Sequence, residues 1–322
     1  MNSLKYISGF FIMSFSIFSS YSQTCCSGGV PLSNHIGLPI LDKGAFQFGV
    51  TYDYNRLNTL KEETRKLASN LRLRETHSVL LNMGYTITDK LSVETLFTWV
   101  SQKRVIQSNN TKSEASGFGD AIVLSRYRIF SNENSEILLG AGIKLPTGAT
   151  DIKNELGVQL NADLQPGSDT YDGVYMISFS KRLTWRKSMS FSSRVTYRST
   201  GVNTSYQVSS HYKFGNEFLS HFTVSDQLFL LNQIVNPSLS FKYRHAEKDQ
   251  INNSRISNTG GQWVFLIPSI SVNISPKTQF IVNAELPIYS RVEGIQLTPT
   301  YRLSFGVAVQ LSKKNKTLNK IN

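Results

Sequence analysis

The chain has two cysteines in 322 residues, adjacent at Cys25-Cys26, and nine prolines. So few thiols exclude the small disulfide-stapled domains and the zinc knuckles built on paired Cys-x-x-Cys spacings. Long hydrophobic runs are missing too. The stretch from Ile7 to Phe18 is too short to cross a bilayer as a helix, no later segment reaches that length, and the mean hydropathy is −0.21. Nucleotide and nucleophile signatures are absent. Gly140-x-Gly142 has no third glycine and no helix after it, and neither a Walker A pattern nor a Gly-x-Ser-x-Gly elbow occurs. His77, His211, His221 and His245 show no pairing with a serine that would suit a hydrolase, and read as loop or lumen residues. No catalytic residue, cofactor or metal site is implied, and nothing points to nucleic acid. Acidic residues are in deficit, 22 against 34 basic ones, giving a net charge of +12 and a taste for anionic partners such as lipopolysaccharide or anionic solutes.

What is present begins with a leader. Lys5 precedes the short apolar run, and Ser20 and Ser22 flank Tyr21, so residues 1–22 read as a secretory signal peptide cut after Ser22. Cleavage removes one lysine, and the net charge becomes +11. The adjacent cysteines follow the cut. Gln23-Thr24 is poor lipoprotein sequence, so the pair is expected to be unlipidated and oxidised as a strained vicinal disulfide. Two thiolates with His35 as a metal set is the weaker reading. Residues 23–44 are irregular and would hang in the periplasm or plug a barrel.

From Ala45 onward the dominant signal is alternation. Ala121, Val123, Ser125, Tyr127 and Ile129 share one face, against Ile122, Leu124, Arg126 and Arg128. After Ser131-Asn132-Glu133-Asn134, Ile137, Leu139, Ala141, Ile143 and Leu145 oppose Gly140, Gly142 and Lys144. A soluble sandwich would put the apolar face in a core, and a membrane barrel would put it in lipid with the charges in a wet lumen. Similar segments recur about twelve times between residues 45 and 311, with 14 as the alternative count, before a basic tail at 312–322. Residues Asn55–Glu75 read as a solvated loop, Tyr206–Phe214 as the start of an eighth strand, and Asn236-Pro237 as a bulge in the ninth. Trp263–Ile274 is apolar throughout, so its facing is ambiguous. Short turns follow the even-numbered strands and longer polar loops the odd ones, the eleventh included. That pattern predicts an antiparallel up-and-down outer-membrane barrel of even count with both termini periplasmic.

The two faces decide between sandwich and barrel. Tyr52, Tyr54, Tyr85, Trp99, Tyr127, Tyr175, Tyr197, Tyr212, Tyr243 and Tyr301 lie on the apolar face, many near strand ends, as aromatic girdles do. Arg126, Arg128, Lys144, Arg182, Arg194, Arg198, Lys213, Lys242, Arg244 and Arg302 lie on the other. Charges facing lipid at the midplane would cost roughly 2–4 kcal/mol each. These cations, Arg182 and Lys213 apart, are expected to line a pore together with Glu94, Asp120 and Glu285, the acids serving as arginine partners. A basic lumen would favour anions.

Gly117, Gly119, Asp120, Tyr127, Arg128, Gly140, Gly142, Lys144, Leu145, Pro146, Thr147 and Gly148 form a pattern, GFGDAIVLSRYRIF followed by LLGAGIKLPTG. It resembles the outer-membrane channels named for the phenol-degradation meta pathway, which are related in turn to the FadL/TodX hydrocarbon channels. The resemblance implies passage of small, often hydrophobic molecules. A non-transport surface barrel, adhesive or structural, and a barrel-borne lipid hydrolase are the competing readings.

Overall fold

The structure is a computed structural model that describes residues 38, 40–68, 72–106, 111–207 and 210–311. The leader, Cys25, Cys26, His35 and the basic tail lie outside the described residues. Twelve long strands form the wall: β1 (Phe46–Glu62), β2 (Arg72–Thr86), β3 (Leu91–Ile106), β4 (Ala121–Ser131), β5 (Ser135–Leu145), β6 (Asp172–Arg182), β7 (Ser190–Ser199), β8 (Glu217–Ser225), β9 (Gln233–Ala246), β10 (Gly261–Ser275), β11 (Thr278–Val292) and β12 (Ile295–Leu311). Each pairs antiparallel with its sequence neighbours, and β1 pairs with β12 from Phe46↔Leu311 to Glu62↔Ile295, so the sheet closes on itself. Closure satisfies every edge, which is the condition for strands to stand in hydrocarbon.

Alternation sets the two surfaces. Phe48, Val50, Tyr52, Phe97, Trp99, Tyr127, Leu139, Tyr175, Phe222, Leu239, Phe241, Phe305 and Val307 are exposed on the outer wall, far more apolar surface than a water-soluble barrel leaves bare. It is the band an outer-membrane barrel presents to lipid. Among the described residues no helix is long and apolar enough to cross a membrane, so the strands do the crossing.

Several local expectations are overturned. Asn55–Glu75 is mostly strand. β1 continues to Glu62, Arg65–Lys66 folds back on it, and β2 begins at Arg72. The charges there belong to wall that stands beyond the lipid, where an outer face has no reason to be apolar. Tyr206–Phe214 is not wall. Asn203–Tyr206 and Ser210–Lys213 make a small hairpin in a long loop, with Tyr212 buried against Tyr206 and Phe214. Tyr212 therefore leaves the girdle and Lys213 the charged face of the wall. His77 is on the outer wall, where its Nδ1 lies 2.7 Å from the Tyr52 hydroxyl.

β9 runs through Pro237 without a register shift. The Pro237 carbonyl accepts from Asp226 N–H on the β8 side, beyond the last β8 pair at Ser225↔Ser238. The missing proline N–H thus falls where the ladder has already ended, and no bulge is needed. The eleventh connection is also not a long loop. Glu293-Gly294 turns between β11 and β12 with Gly294 at φ +68°, a backbone state glycine enters freely. The β11–β12 ladder stops at Glu285↔Arg302, and Pro287 and Pro299 lie past it.

Short connections join β2–β3, β4–β5, β6–β7 and β10–β11 at one end of the barrel. The first residue of β1 and the last of β12 are at this same end, because Phe46 pairs with Leu311. Most of the long loops gather at the other end.

Candidate functional site

The inner wall is built in tiers, each set by which residue falls on the inward beat of its strand. At the short-turn end Ser190, Ser225, Asn236, Ser238, Ser271, Asn273 and Gln279 surround a vestibule of about 600 Å³. Short hydroxyls and amides leave room there and hold water readily. Arg182 stands at its rim.

Half-way along, paired charges line the inner wall. Arg126 Nε is 3.4 Å from Glu94 Oε2, and both side chains are almost wholly buried. Lys242 Nζ is 2.5 Å from Glu285 and lies over the Phe265 ring at 4.4 Å. Arg302 Nε donates to both oxygens of Asp53 at 2.8 Å, with Ser304 Oγ donating at 2.7 Å. Arg194 and His221 share the cavities of this tier. Arg128 sits closer to the short turns, donating to Glu136 at 2.6 Å and to the Ile40 carbonyl at 2.8 Å. Leu38 N–H donates to Glu94. The last residues before β1 therefore run along the inner wall.

Above the charges comes an apolar tier, Leu80, Leu96, Ile122, Leu124, Val174, Met176 and Leu219 in mutual contact. A second cluster, with Trp263, Phe265 and Ile267, settles the ambiguous facing of β10: these three point inward and Val264, Leu266 and Ile270 outward. Arg244 lies over the Trp263 ring at 4.8 Å.

At the long-loop end a second ion network closes the stack. Lys144 Nζ is 2.7 Å from Asp120 and 3.1 Å from Asp172. Arg198 reaches Asp172 at 4.0 Å and Glu217 at 3.3 Å, and Arg244 also donates to Glu217. Buried ion pairs of this kind need further hydrogen bonds to offset their desolvation, and both aspartates have them. Asp120 accepts from Gly148 N–H at 3.1 Å and from Ser168 N–H and Oγ at 3.0 and 2.6 Å. Ser168 Oγ in turn accepts from Lys144. Asp172 accepts from Thr170 Oγ1 at 2.7 Å and Gly201 N–H at 3.0 Å.

These contacts explain the glycine-rich pattern. The connection from β5 to β6 folds inward over the lumen, with residues 162–168 buried. Gly148 and Gly167 lie back to back: a Cβ on Gly148 would stand 2.6 Å from Gly167 Cα, and one on Gly167 would stand 2.5 Å from Gly148 C. On the wall, a Cβ on Gly142 would stand 2.2 Å from the Val123 carbonyl oxygen. Thr147 Oγ1 accepts from Ala121 N–H and donates to the Gly119 carbonyl, while Pro146 ends β5. Gly117 packs against Pro166 of the same loop. Tyr127 faces outward and takes no part in the network. Arg74 holds the far side of the loop. It donates to Asp163 Oδ2 at 3.2 Å, to the Asp163 carbonyl at 2.6 Å and to Gln102 Oε1 at 2.5 Å. Gln102 donates to the Leu164 carbonyl at 2.5 Å.

A family model described as "Putative MetA-pathway of phenol degradation" matches residues 50–305. The chain belongs to this family. Among solved structures it is similar to the COG4313 outer membrane channel from Pseudomonas putida F1, at 15% identity and a TM-score of 0.67, over 88% of this chain and 100% of that one. Weaker matches include the β domain of the Bordetella autotransporter BrkA (9% identity, TM-score 0.49, 84% of this chain and 100% of that one) and the NanC porin (10%, 0.46, 82% and 100%). No curated protein matches. The fold is thus that of a twelve-stranded outer-membrane channel, and FadL/TodX remains a distant suggestion.

Glu94, Asp120, Arg126, Arg128, Lys144, Arg194, Arg198, Lys242, Arg244, Glu285 and Arg302 all fall on the inward beat. The structure does not bring them into one bare basic wall. Apart from Arg128, nearer the short turns, they divide between two tiers, each laced with ion pairs along the wall. Sequence reasoning missed Arg74, Gln102, Asp163 and Ser168, which clamp the inward loop. The signal was there in part: Leu160, Ala162 and Leu164 alternate within an otherwise polar connection, and they are buried, Leu160 and Leu164 packing with Ala115.

Proposed function

We propose that the protein is a passive outer-membrane channel for small solutes, standing with both termini and its short turns toward the periplasm, and that the eleven inward-facing charged residues line its path. The observation that carries the reading is the polar vestibule, which reaches from the short-turn end to the Arg194–His221 level inside a closed, lipid-facing wall. A barrel serving only as a surface scaffold gains nothing from leaving that volume open. The ion pairs and the inward loop narrow the remaining half, so the solutes are small organic molecules, apolar or anionic, rather than oligomers. The test is electrical conductance of the purified chain in a planar bilayer. Small, well-defined current steps are expected. Silence in the wild type and in variants that release the inward loop overturns the channel reading.

A further inference from the structure

Two neighbouring connections at the short-turn end differ from the others there. The β2–β3, β4–β5 and β10–β11 turns have polar tips, Thr88-Asp89-Lys90, Asn132-Glu133-Asn134 and Pro276-Lys277. The β8–β9 tip is apolar. Leu228–Leu230 carries that hairpin on past Ser225↔Ser238, pairing with β9 from Leu228↔Val235 to Leu230↔Gln233. Leu231 and Asn232 turn it, at φ +50° and +61°. Glycine, asparagine or aspartate suits such a turn, and a leucine there is strained. Leu231 is nonetheless 99% exposed, and Phe229 and Leu230 are exposed beside it. Neither turn chemistry nor packing accounts for a leucine at this tip. The adjoining β6–β7 connection holds out Trp185, which is 74% exposed.

The two connections are fastened together. Gln227 N–H donates to the Ser188 carbonyl at 3.1 Å, the Ser190 and Ser225 hydroxyls lie 2.8 Å apart, and Arg186 donates to Asp226. Lys181, Arg182, Arg186 and Lys187 are all exposed around Trp185. The carboxylates near them are Asp226 and Glu133. Asp226 is taken up by Arg186 and by the Gln227 N–H at 2.9 Å. Glu133 is exposed on the β4–β5 turn, to which Arg182 N–H is joined through the Asn134 carbonyl. Glu136 is engaged by Arg128, and Lys277, on the hairpin's other flank, lines a separate cavity with Asp42 and Asp89. Four cations against two carboxylates leave the surface positive. Among the described residues, Lys181, Arg182 and Lys187 have no ion-pair partner. The apolar tips also continue the lipid-facing band. Phe222 and Val224 lead down β8 toward Leu230, and Phe191, in ring contact with Phe179, is paired with Lys181.

We propose that the β6–β7 and β8–β9 connections together form a docking surface for anionic phospholipid headgroups, in the leaflet at the short-turn end. Trp185, Leu230 and Leu231 dip into the boundary between acyl chains and headgroups, where an indole and a bare leucine both gain. Lys181, Arg182 and Lys187 meet the lipid phosphates, their stems lying along the apolar surface. The leucine at the strained tip is then solvated by lipid and not by water. The proposal rests on the lipid-facing wall alone and is independent of the channel reading.

The experiment is fluorescence quenching of the purified full-length chain, folded into vesicles of phosphatidylcholine and phosphatidylglycerol. Bromine is carried on the acyl chains of one lipid or the other, at equal mole fraction of bromolipid. The Trp185 signal is the difference between the wild type and Trp185→Phe, which keeps the chain's other two tryptophans. Trp185 is expected to be quenched at least about twofold more by brominated phosphatidylglycerol than by brominated phosphatidylcholine. The excess is expected to vanish in the double variant Lys181→Gln with Lys187→Gln. Leu231→Trp, made in Trp185→Phe, moves the probe to the hairpin tip and should show the same excess. Heat-modifiable migration in gels identifies the variants that have folded. Trp185 emission that neither bromolipid quenches overturns the surface, and would mean that water or a protein covers it. Equal quenching by the two lipids, or an excess that survives loss of both lysines, overturns the anionic selection. Each of these results stands whether or not the protein conducts in a bilayer.

Discussion

Replacing Arg74 by methionine removes the clamp on the inward loop while keeping most of the side-chain volume. Arg74 and Asp163 are both nearly inaccessible, at 3% and 2% exposure. Taking one partner from a buried ion pair costs about 3–5 kcal/mol, because the other charge stays behind. The lost bond to Gln102 adds about 1 kcal/mol. Each 1.4 kcal/mol is tenfold in population, so the closed form of residues 161–164 should weaken by at least about a hundredfold. The loop does not leave entirely, since Ser168 is still bound to Asp120 and Leu164 still packs with Ala115 and Leu160. The expected results are larger conductance steps in planar bilayers and faster amide exchange confined to residues 161–165. The double variant Arg74→Met with Asp163→Asn strands no charge, so it should recover much of the loss. Wild-type conductance and exchange in Arg74→Met, or a double variant no better than the single one, would refute the reasoning.

Three further outcomes follow from other parts of the molecule. Leu239→Arg places a cation on the outer wall midway along β9 and is expected to cost about 2–4 kcal/mol in urea-dependent folding into vesicles; no change would mean that Leu239 is not in lipid. Gly142→Val forces a side chain onto the Val123 carbonyl, and the heat-modifiable band should be lost or its folding yield should fall several-fold. In the loop between β9 and β10, burial raises the Asp249 carboxyl from 3.8 to about 6, against hydrogen bonds from Tyr212 and Gly215 that pull it down. The native loop then binds more protons than the unfolded one between pH 4 and pH 6. Its stability is greatest below pH 4 and falls, by no more than about 3 kcal/mol, as pH rises through 6. Proteolysis at residues 247–260, normalised to an unfolded peptide, should quicken from pH 5 to pH 7 in the wild type and stay level in Asp249→Asn.

The wall was legible wherever lipid imposes a rule. β4 and β5 alternate cleanly because every outward residue there meets hydrocarbon. The rule lapses beyond the lipid, which is why Arg72 and Arg74, both in strand, looked like loop. It also lapses where both faces carry apolar groups. In β8, Phe218, Phe222 and Val224 face out while Leu219 faces in beside His221, so the pattern blurs, and the aromatic alternation of Tyr206, Tyr212 and Phe214 just before it imitates a strand. The inward charges could be named from Arg126, Lys144 or Arg302 in isolation. Glu94, Asp120 and Glu285 could be named as acids for that face, but which cation each would meet could not, and Asp53 escaped notice because it is joined to Arg302 only by the meeting of the first and last strands. Nor does spacing reveal that Gly148 and Gly167 touch, since the contact depends on a loop turning in rather than out.

That meeting of first and last strands has a consequence for how the chain comes into being. No partial product has a complete ring: until Leu311 stands opposite Phe46, two bare edges remain, and each invites pairing with another molecule. The Asp53–Arg302 pair and the β1–β12 ladder form only with the final residues, so a chain shortened at its C-terminus loses more than one strand. It loses the join that makes the other eleven a wall, and its fate is aggregation or degradation rather than a narrower pore.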